Sequence, residues 1–147
     1  MGGHNDLCLH ASCVTLDGRG LLIRGASGSG KSALALSLMA LGASLVADDK
    51  VLVTLDAGEL IARAPEPIAD MVEARGLGLL RADRCAESAI CAVIDMDMVE
   101  TERLPAIRTV EILGQTVTLL RKIDAAYIAP ALLQYLKRGR RNPDAGT

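Results

Sequence analysis

The 147-residue sequence predicts a three-layer α/β protein with a mixed sheet and more hairpins than helices. Three observations carry that reading. A glycine-rich stretch, "GASGSGKS" (25–32), stands between an apolar strand pattern and a helical pattern. "AICAVIDM" (89–96) is a continuous apolar run of the kind found in strands buried on both faces. Glycine-based turn signals, at Asp17-Gly18, Asp56-Ala57-Gly58 and Gly114, divide the remaining strand-like segments.

In chain order, "VTLDGRGLLIR" (14–24) reads as two strands around a tight Asp-Gly turn. "KSALALSLMALG" (31–42) reads as a helix ended by Gly42 at the left-handed cap position. Being apolar nearly all round, this helix is expected to be buried. "ASLVA" (43–47) is a short strand running into Asp48-Asp49. "VLVTLDAGELIARA" (51–64) forms a hairpin, and Pro65 and Pro67 mark a loop. "RTVEILGQTVTLLRK" (108–122) is a further hairpin turning at Gly114. "APALLQYLKRG" (129–139) closes the chain as a helix that Pro130 either opens or kinks. Neither a repeat nor a linker interrupts this order, so residues 1–147 read as a single domain.

Half of the residues are apolar and 23% are charged, which is globular rather than disordered. Phe and Trp are absent and Tyr127 and Tyr135 are the only aromatics, so the core must be aliphatic. Base stacking is thereby nearly excluded, and a net charge of −2 supplies no basic field, so no nucleic-acid partner is expected. The cluster "KRGRRN" (137–142) reads as a solvated helix end favoured by the helix dipole, with docking of an acidic partner as the alternative. Cys8, Cys13, Cys85 and Cys91 form no Cys-x-x-Cys pair, and His4 and His10 complete no zinc spacing. Reduced thiols in a cytoplasmic protein are the expectation. The N-terminus lacks a signal-peptide pattern, and Gly2 resembles a myristoylation site only loosely because position 6 is Asp. No apolar run reaches membrane-spanning length, so no membrane partner is expected.

The strongest chemical signal is the stretch from Gly25 to Ser32, which satisfies G-x-x-x-x-G-K-[ST] in full. Each part has a physical role. Gly25, Gly28 and Gly30 let the backbone fold around phosphates, with the N–H groups of Ala26, Ser27 and Ser29 available to point inward. The following helix adds the positive end of its dipole. Lys31 reaches the β- and γ-phosphates of a nucleotide, and the Ser32 hydroxyl ligates Mg²⁺.

Phosphoryl transfer also needs a carboxylate for the metal and one to take the acceptor's proton. Two candidates follow apolar strands: Asp48-Asp49 after "SLVA", and Asp95 with Asp97 after "AICAVI". Pattern alone does not separate them. The adjacent pair has one advantage. Successive side chains at a strand end point to opposite sides, so one acid could face the metal and the other the acceptor.

Here the chain resembles the HPr kinase/phosphorylase family. "GASGSGKSALALSLMALGASLVADD" is similar to that family's phosphate loop, helix and short strand ending "VADD". "VEARGLGLL" (72–80) resembles its Glu-x-Arg-Gly-x-Gly signature. His10, fifteen residues before Gly25, stands where the family keeps a catalytic histidine. "ERLP" (102–105) is similar to its Asp/Glu-Arg-Leu segment. The four matches span residues 10 to 105, about two-thirds of the chain.

The resemblance implies the P-loop kinase fold of the HPr kinase and PEP carboxykinase type, a mixed sheet with flanking helices. It implies ATP and Mg²⁺ as cofactors and the serine of an HPr-type phosphocarrier protein as acceptor. It places Lys31 on the phosphates, Ser32 and Glu73 on Mg²⁺, and Asp49 as base with Asp48 as the alternative. It puts His10 beside that acid and Arg103 on the transferring phosphoryl group. Independently of the family, Gly76 and Gly78 would permit close backbone approach, and Glu73 and Arg75 would share a face of an extended segment. The chain starts almost at the kinase core, like the short members of the family. The family's Arg-Pro-Gly-Arg-Asn loop is not present, and "LRKIDAAYIAPAL" (120–132) stands in the corresponding region. That loop supports dephosphorylation and subunit contacts, so the reverse reaction and the family's homo-oligomer, a hexamer, are left open. The competing function is a nucleotide-binding regulatory module that senses ATP and binds a partner without transferring phosphate.

Overall fold

The computed structural model describes residues 6–65 and 71–141. Pro67, together with Gly2, His4 and Asn142, lies outside them. The elements in order are β1 (Asp6–Leu9), β2 (Ala11–Leu16), β3 (Arg19–Arg24), α1 (Lys31–Ala40), β4 (Ser44–Ala47), β5 (Val51–Asp56), β6 (Glu59–Arg63), β7 (Met71–Ala74), β8 (Gly78–Arg81), β9 (Glu87–Val99), β10 (Arg108–Ile112), β11 (Gln115–Lys122) and α2 (Ile128–Arg138).

β9 is the hub of the sheet. It runs parallel to β3 on one side, with Leu22 opposite Val93 and Arg24 opposite Asp95, and parallel to β11 on the other. Its first residues also pair antiparallel with β6. The strand therefore runs past the apolar segment 89–96 at both ends. The full order is β1-β5-β6-β9-β3-β2-β4, with β11 and then β10 branching from β9. β3 approaches β9 so closely that a Cβ at Gly20 would stand 2.5 Å from the Ala89 carbonyl oxygen. The strand β1 was not evident in the sequence. It is exposed on most residues and is held by its ladder to β5 and by Leu9 packed against the second core.

The hairpins β2–β3, β5–β6 and β10–β11 each close through two residues of positive φ: Asp17-Gly18, Ala57-Gly58 and Leu113-Gly114. Such turns carry the twist that matches paired strands. The residues along each strand then alternate between two cores. Leu21, Ile23, Ala92 and Ile94 face a layer formed by both helices, where they meet Leu34, Leu38, Leu132 and Leu136. Leu22 and Val93 face the other way, against Val51, Val53, Leu60 and Ala62 of the β5–β6 hairpin. The third layer is thus made of strands. Cys13 is fully buried in it, and burial pushes its thiol up to about 12, so it acts as a small neutral core residue.

Helix α1 is less buried than its composition suggests. Lys31, Leu34, Ala35 and Leu38 face inward, while Ala33, Ser37 and Ala40 are exposed. Small side chains make a solvent-facing side tolerable despite a nearly uncharged sequence. The helix ends as expected at Gly42 (φ 114°): the N–H of Gly42 donates to Met39 O and that of Ala43 to Leu38 O. In α2, Pro130 lies in the first turn, where its missing N–H costs nothing. At the other end Arg19 Nη1 donates to the carbonyls of Leu136 and Lys137, and Lys137 and Arg138 occupy the last turn.

Candidate active site

The chain leaves β3 at Arg24 and turns at once into the loop at Gly25. A Cβ on Gly25 would lie 2.6 Å from Ser29 Oγ, and its φ of 149° suits only glycine. Gly30, with φ 100°, then opens α1. Lys31 is buried to 7% exposure and folds back over the loop, its Nζ donating to the carbonyls of Gly25 (2.8 Å) and Ala26 (3.1 Å). The loop is also held from β9. The Ala26 N–H donates to both carboxylate oxygens of Asp97, at 3.1 and 3.0 Å. Asp95 in turn accepts from the Asp97 N–H and pairs with Arg24. The two acids after "AICAVI" thus brace the loop, and neither lines the cleft that contains Lys31.

Asp48 and Asp49 follow β4 and separate sharply. Asp48 turns toward the loop, where Ser32 Oγ donates to it at 2.9 Å and Ser12 Oγ at 2.6 Å. The Glu73 N–H approaches the same carboxylate at 3.4 Å. Asp49 has φ 71°, and the Lys50 N–H donates across it to Asp48 O at 2.8 Å, the geometry of a strained γ-turn. That turn swings the Asp49 side chain away from its neighbour. There it meets His10 Nε2 at 2.9 Å, with the Asp49 side chain 71% and the His10 side chain 57% exposed. The Ala11 N–H fixes the Asp49 carbonyl from the start of β2.

The β7–β8 hairpin completes the wall, anchored by Val72 in the helical core. The strand ends at Ala74 and the chain reverses through Arg75. Glu73 and Arg75 thus do not share an extended face, although both line the cleft. Gly76 and Gly78 have φ of 96° and 123°, and nothing lies within 4 Å of a Cβ built on either. They are needed for backbone conformation, not for close approach. The result is a cleft of about 570 Å³ whose lining includes His10, Lys31, Ser32, Asp49, Glu73 and Arg75. Arg103 is exposed in the loop after β9 and does not line it.

Two functional contacts escaped the sequence reading. Ser12, fully buried, orders Asp48; a serine beside apolar neighbours, two residues after His10, was the available signal. Asp97 reads in the sequence as a carboxylate for the metal or for the acceptor's proton, and nothing local distinguishes a loop brace from either.

A family model described as the HPr Serine kinase C-terminal domain matches residues 4–116. The chain belongs to the HPr serine kinase C-terminal domain family. Among relatives of this kinase domain, the HPr kinase/phosphorylase of Malacoplasma penetrans is 34% identical over 113 residues, covering 73% of this chain and 36% of that protein. The HPr kinase/phosphorylase of Clostridium beijerinckii is 46% identical over 72 residues, covering 49% of this chain and 24% of that protein. The HPr serine kinase domain described here therefore spans a quarter to a third of the length of these relatives. A solved structure, the Hpr(Ser) kinase/phosphatase from Coxiella burnetii, superimposes with a TM-score of 0.76 at 24% identity, covering 90% of this chain and 88% of that one. The architecture is thus that of an HPr kinase/phosphatase domain.

Proposed function

We propose that this chain is an ATP-dependent protein kinase whose acceptor is a serine of an HPr-type phosphocarrier protein, and that it works in the cytoplasm. No helix among the described residues is long and apolar enough to cross a membrane. The observation that carries the kinase reading is the division of labour between Asp48 and Asp49. Asp48 is bound to Ser32 of the phosphate loop, and Asp49 is exposed beside His10. A module that only senses nucleotide needs the first carboxylate but not the second.

The donor set at the loop suits Mg²⁺, which takes one or two carboxylates and keeps its remaining positions for phosphate and water. Ser32 and Asp48, with Glu73 beside them, are the residues to hold it. Held by these residues, Mg²⁺ would supply charge neutralisation to the donor phosphates. Lys31 and the loop N–H groups other than those of Ala26 and Ser29, which are bonded to Asp97 and to the Ala26 carbonyl, orient the phosphates. Asp49 takes the proton from the acceptor serine as its oxygen bonds to the γ-phosphorus, and the bond to the ADP oxygen breaks on the opposite side. His10 orients Asp49. Arg75, at the turn of the hairpin over the cleft, is a second cation beside Lys31 to meet developing charge, whereas Arg103 would have to be brought in by movement of its loop.

The test is purified chain with labelled ATP, Mg²⁺ and HPr. Phosphoserine on HPr, lost in Lys31→Ala and in Asp49→Asn, is the expected result. Tight ATP binding without transfer to HPr would overturn the reading in favour of a nucleotide-sensing module.

A further inference from the structure

The basic stretch at the end of α2 lines no part of the cleft, and the fold brings it a companion from another strand. Arg19, at the start of β3, donates from Nη1 to the carbonyls of Leu136 and Lys137. The Gly139 N–H closes the helix on Tyr135 O at 2.7 Å. The helix end is thus capped without Lys137 and Arg138, whose side chains are exposed. Among the described residues neither of those two side chains has a partner. Arg140 lies beyond the helix, and its Nη1 donates to the Pro105 carbonyl, in the loop after β9, at 3.2 Å. Pro105 stands in the sequence between Leu104 and Ile107, which at 74% and 44% exposure leave two aliphatic side chains in water. In the same loop the Glu100 carboxylate is occupied by Arg108 and by the N–H groups of Thr101 and Glu102. Glu102, exposed, is offset in charge by its neighbour Arg103.

We propose that the end of α2 and the loop after β9 form one docking surface for an acidic segment of a partner protein. Charge complementarity carries the proposal. Arg19, Lys137, Arg138 and Arg140 are all exposed, and the sequence has no Asp or Glu between residues 125 and 142. Size selects the occupant. These four belong to only 16 Lys and Arg in a sequence with 18 Asp and Glu, so the rest of the molecule is in acidic excess. A nucleic-acid strand or an anionic bilayer extends past the patch and meets that excess, whereas a short acidic segment touches the patch alone. Leu104 and Ile107 add an apolar contact beside the charges, as in protein–protein interfaces. Docking also acts on the loop. A partner carboxylate bonds the Arg140 guanidinium more strongly than the neutral Pro105 carbonyl does. Pro105 is then released, two residues from Arg103. Only the consequence of that release for phosphoryl transfer rests on the kinase reading.

The experiment measures binding of a fluorescent peptide of Glu and Leu to the full chain. Three further probes are compared with it: the same peptide with Gln for Glu, a single-stranded oligonucleotide, and vesicles of phosphatidylserine and phosphatidylcholine. The wild type is expected to bind the Glu peptide at least about tenfold more tightly than its Gln counterpart, and less tightly as salt rises. Joint Lys137→Glu and Arg138→Glu substitution should abolish that preference at an unchanged melting temperature. Leu104→Ser should weaken binding of both peptides and keep the preference. Amide exchange across residues 103–107 should accelerate when the Glu peptide is added, and in Arg140→Gln without it. Equal binding of the two peptides by the wild type would overturn the proposal. So would wild-type binding in the doubly reversed variant, or tighter binding of the oligonucleotide or the vesicles than of the Glu peptide. Exchange at 103–107 that responds neither to the peptide nor to Arg140→Gln would overturn the link to the loop. No readout uses ATP or HPr, so docking can survive a failure of transfer, and transfer can survive a failure here.

Discussion

Asp49 is held at the entry to β2 at two points: its carboxylate meets His10 Nε2 at 2.9 Å, and its carbonyl accepts the Ala11 N–H at 3.1 Å. The backbone contact stabilises a conformation that a non-glycine residue adopts at a cost of order 1–3 kcal/mol. The side-chain contact aims the carboxylate into the cleft. Asp49→Asn should lower the rate of transfer by about 10²- to 10⁴-fold, the usual worth of a general base. His10→Ala should cost about tenfold in kcat with little change in ATP affinity, because His10 acts through Asp49. Single-turnover transfer with parallel nucleotide titration separates the two effects. An equal loss in both variants would make the histidine a direct participant.

Ser12 and Ser32 both donate to Asp48. Removing the buried Ser12 hydroxyl leaves that carboxylate one donor short without touching the loop. Hydrogen bonds to charged groups contribute about 1.5–3 kcal/mol. Ser12→Ala is therefore expected to raise the Mg²⁺ concentration for half-maximal ATP binding roughly tenfold. The same variant should leave binding of metal-free nucleotide close to wild type, and titration at several Mg²⁺ concentrations reads the difference.

The brace between Asp97 and the Ala26 N–H predicts an order effect rather than a chemical one. Asp97→Ala frees the start of the loop, so amide exchange at residues 25–28 should accelerate. Nucleotide should bind several-fold more weakly, with the pH dependence of transfer unchanged. A shifted pH profile in this variant would instead assign Asp97 to proton transfer.

The turn residue Ala57 sits at φ 52° and is exposed. A left-handed conformation costs an alanine roughly 1 kcal/mol, and asparagine adopts it more readily. Ala57→Asn should stabilise the domain by about 0.5–1 kcal/mol, or a melting temperature about 2–4 °C higher. Phosphoryl transfer should be unaffected, since the turn lies outside the cleft.

Arg108 pairs with Glu100 just after β9, and this contact holds the Glu100 carboxyl below its ordinary value of 4.5. A carboxylate whose folded pKa is depressed stabilises the fold fully above its unfolded pKa and loses that contribution as pH falls through the folded one. Glu100→Gln should thus lower the melting temperature at pH 7 and converge on the wild type as the pH drops below about 4.5. A difference that persists unchanged at pH 3 would point to packing instead of charge.

Much of the candidate site was legible in the sequence because its physics is local. The glycines of the phosphate loop answer to φ values that only they adopt freely, and the lysine and serine follow at fixed spacing. The hairpin turns carried their own glycines, at Gly18, Gly58 and Gly114. The apolar run inside β9 needed only continuity. Less could be said of α1, because burial of one side depends on what packs there. Its outer residues Ala33 and Ser37 are small enough to tolerate solvent on one flank and a second cavity beside it.

What the sequence by itself determined was a glycine-rich loop of the phosphate-binding pattern, a strand followed by paired acids, and the family these belong to. Where each acid points was decided by the tertiary structure. Asp48 and Asp49 are chemically identical neighbours. They part because the Asp49 γ-turn is held by Ala11, thirty-eight residues earlier, and because Ser12 and Ser32 converge on Asp48 from two different elements. Asp97 likewise became a brace only when β9 and β3 aligned in parallel register. Such roles depend on contacts between distant segments, and no local pattern encodes them.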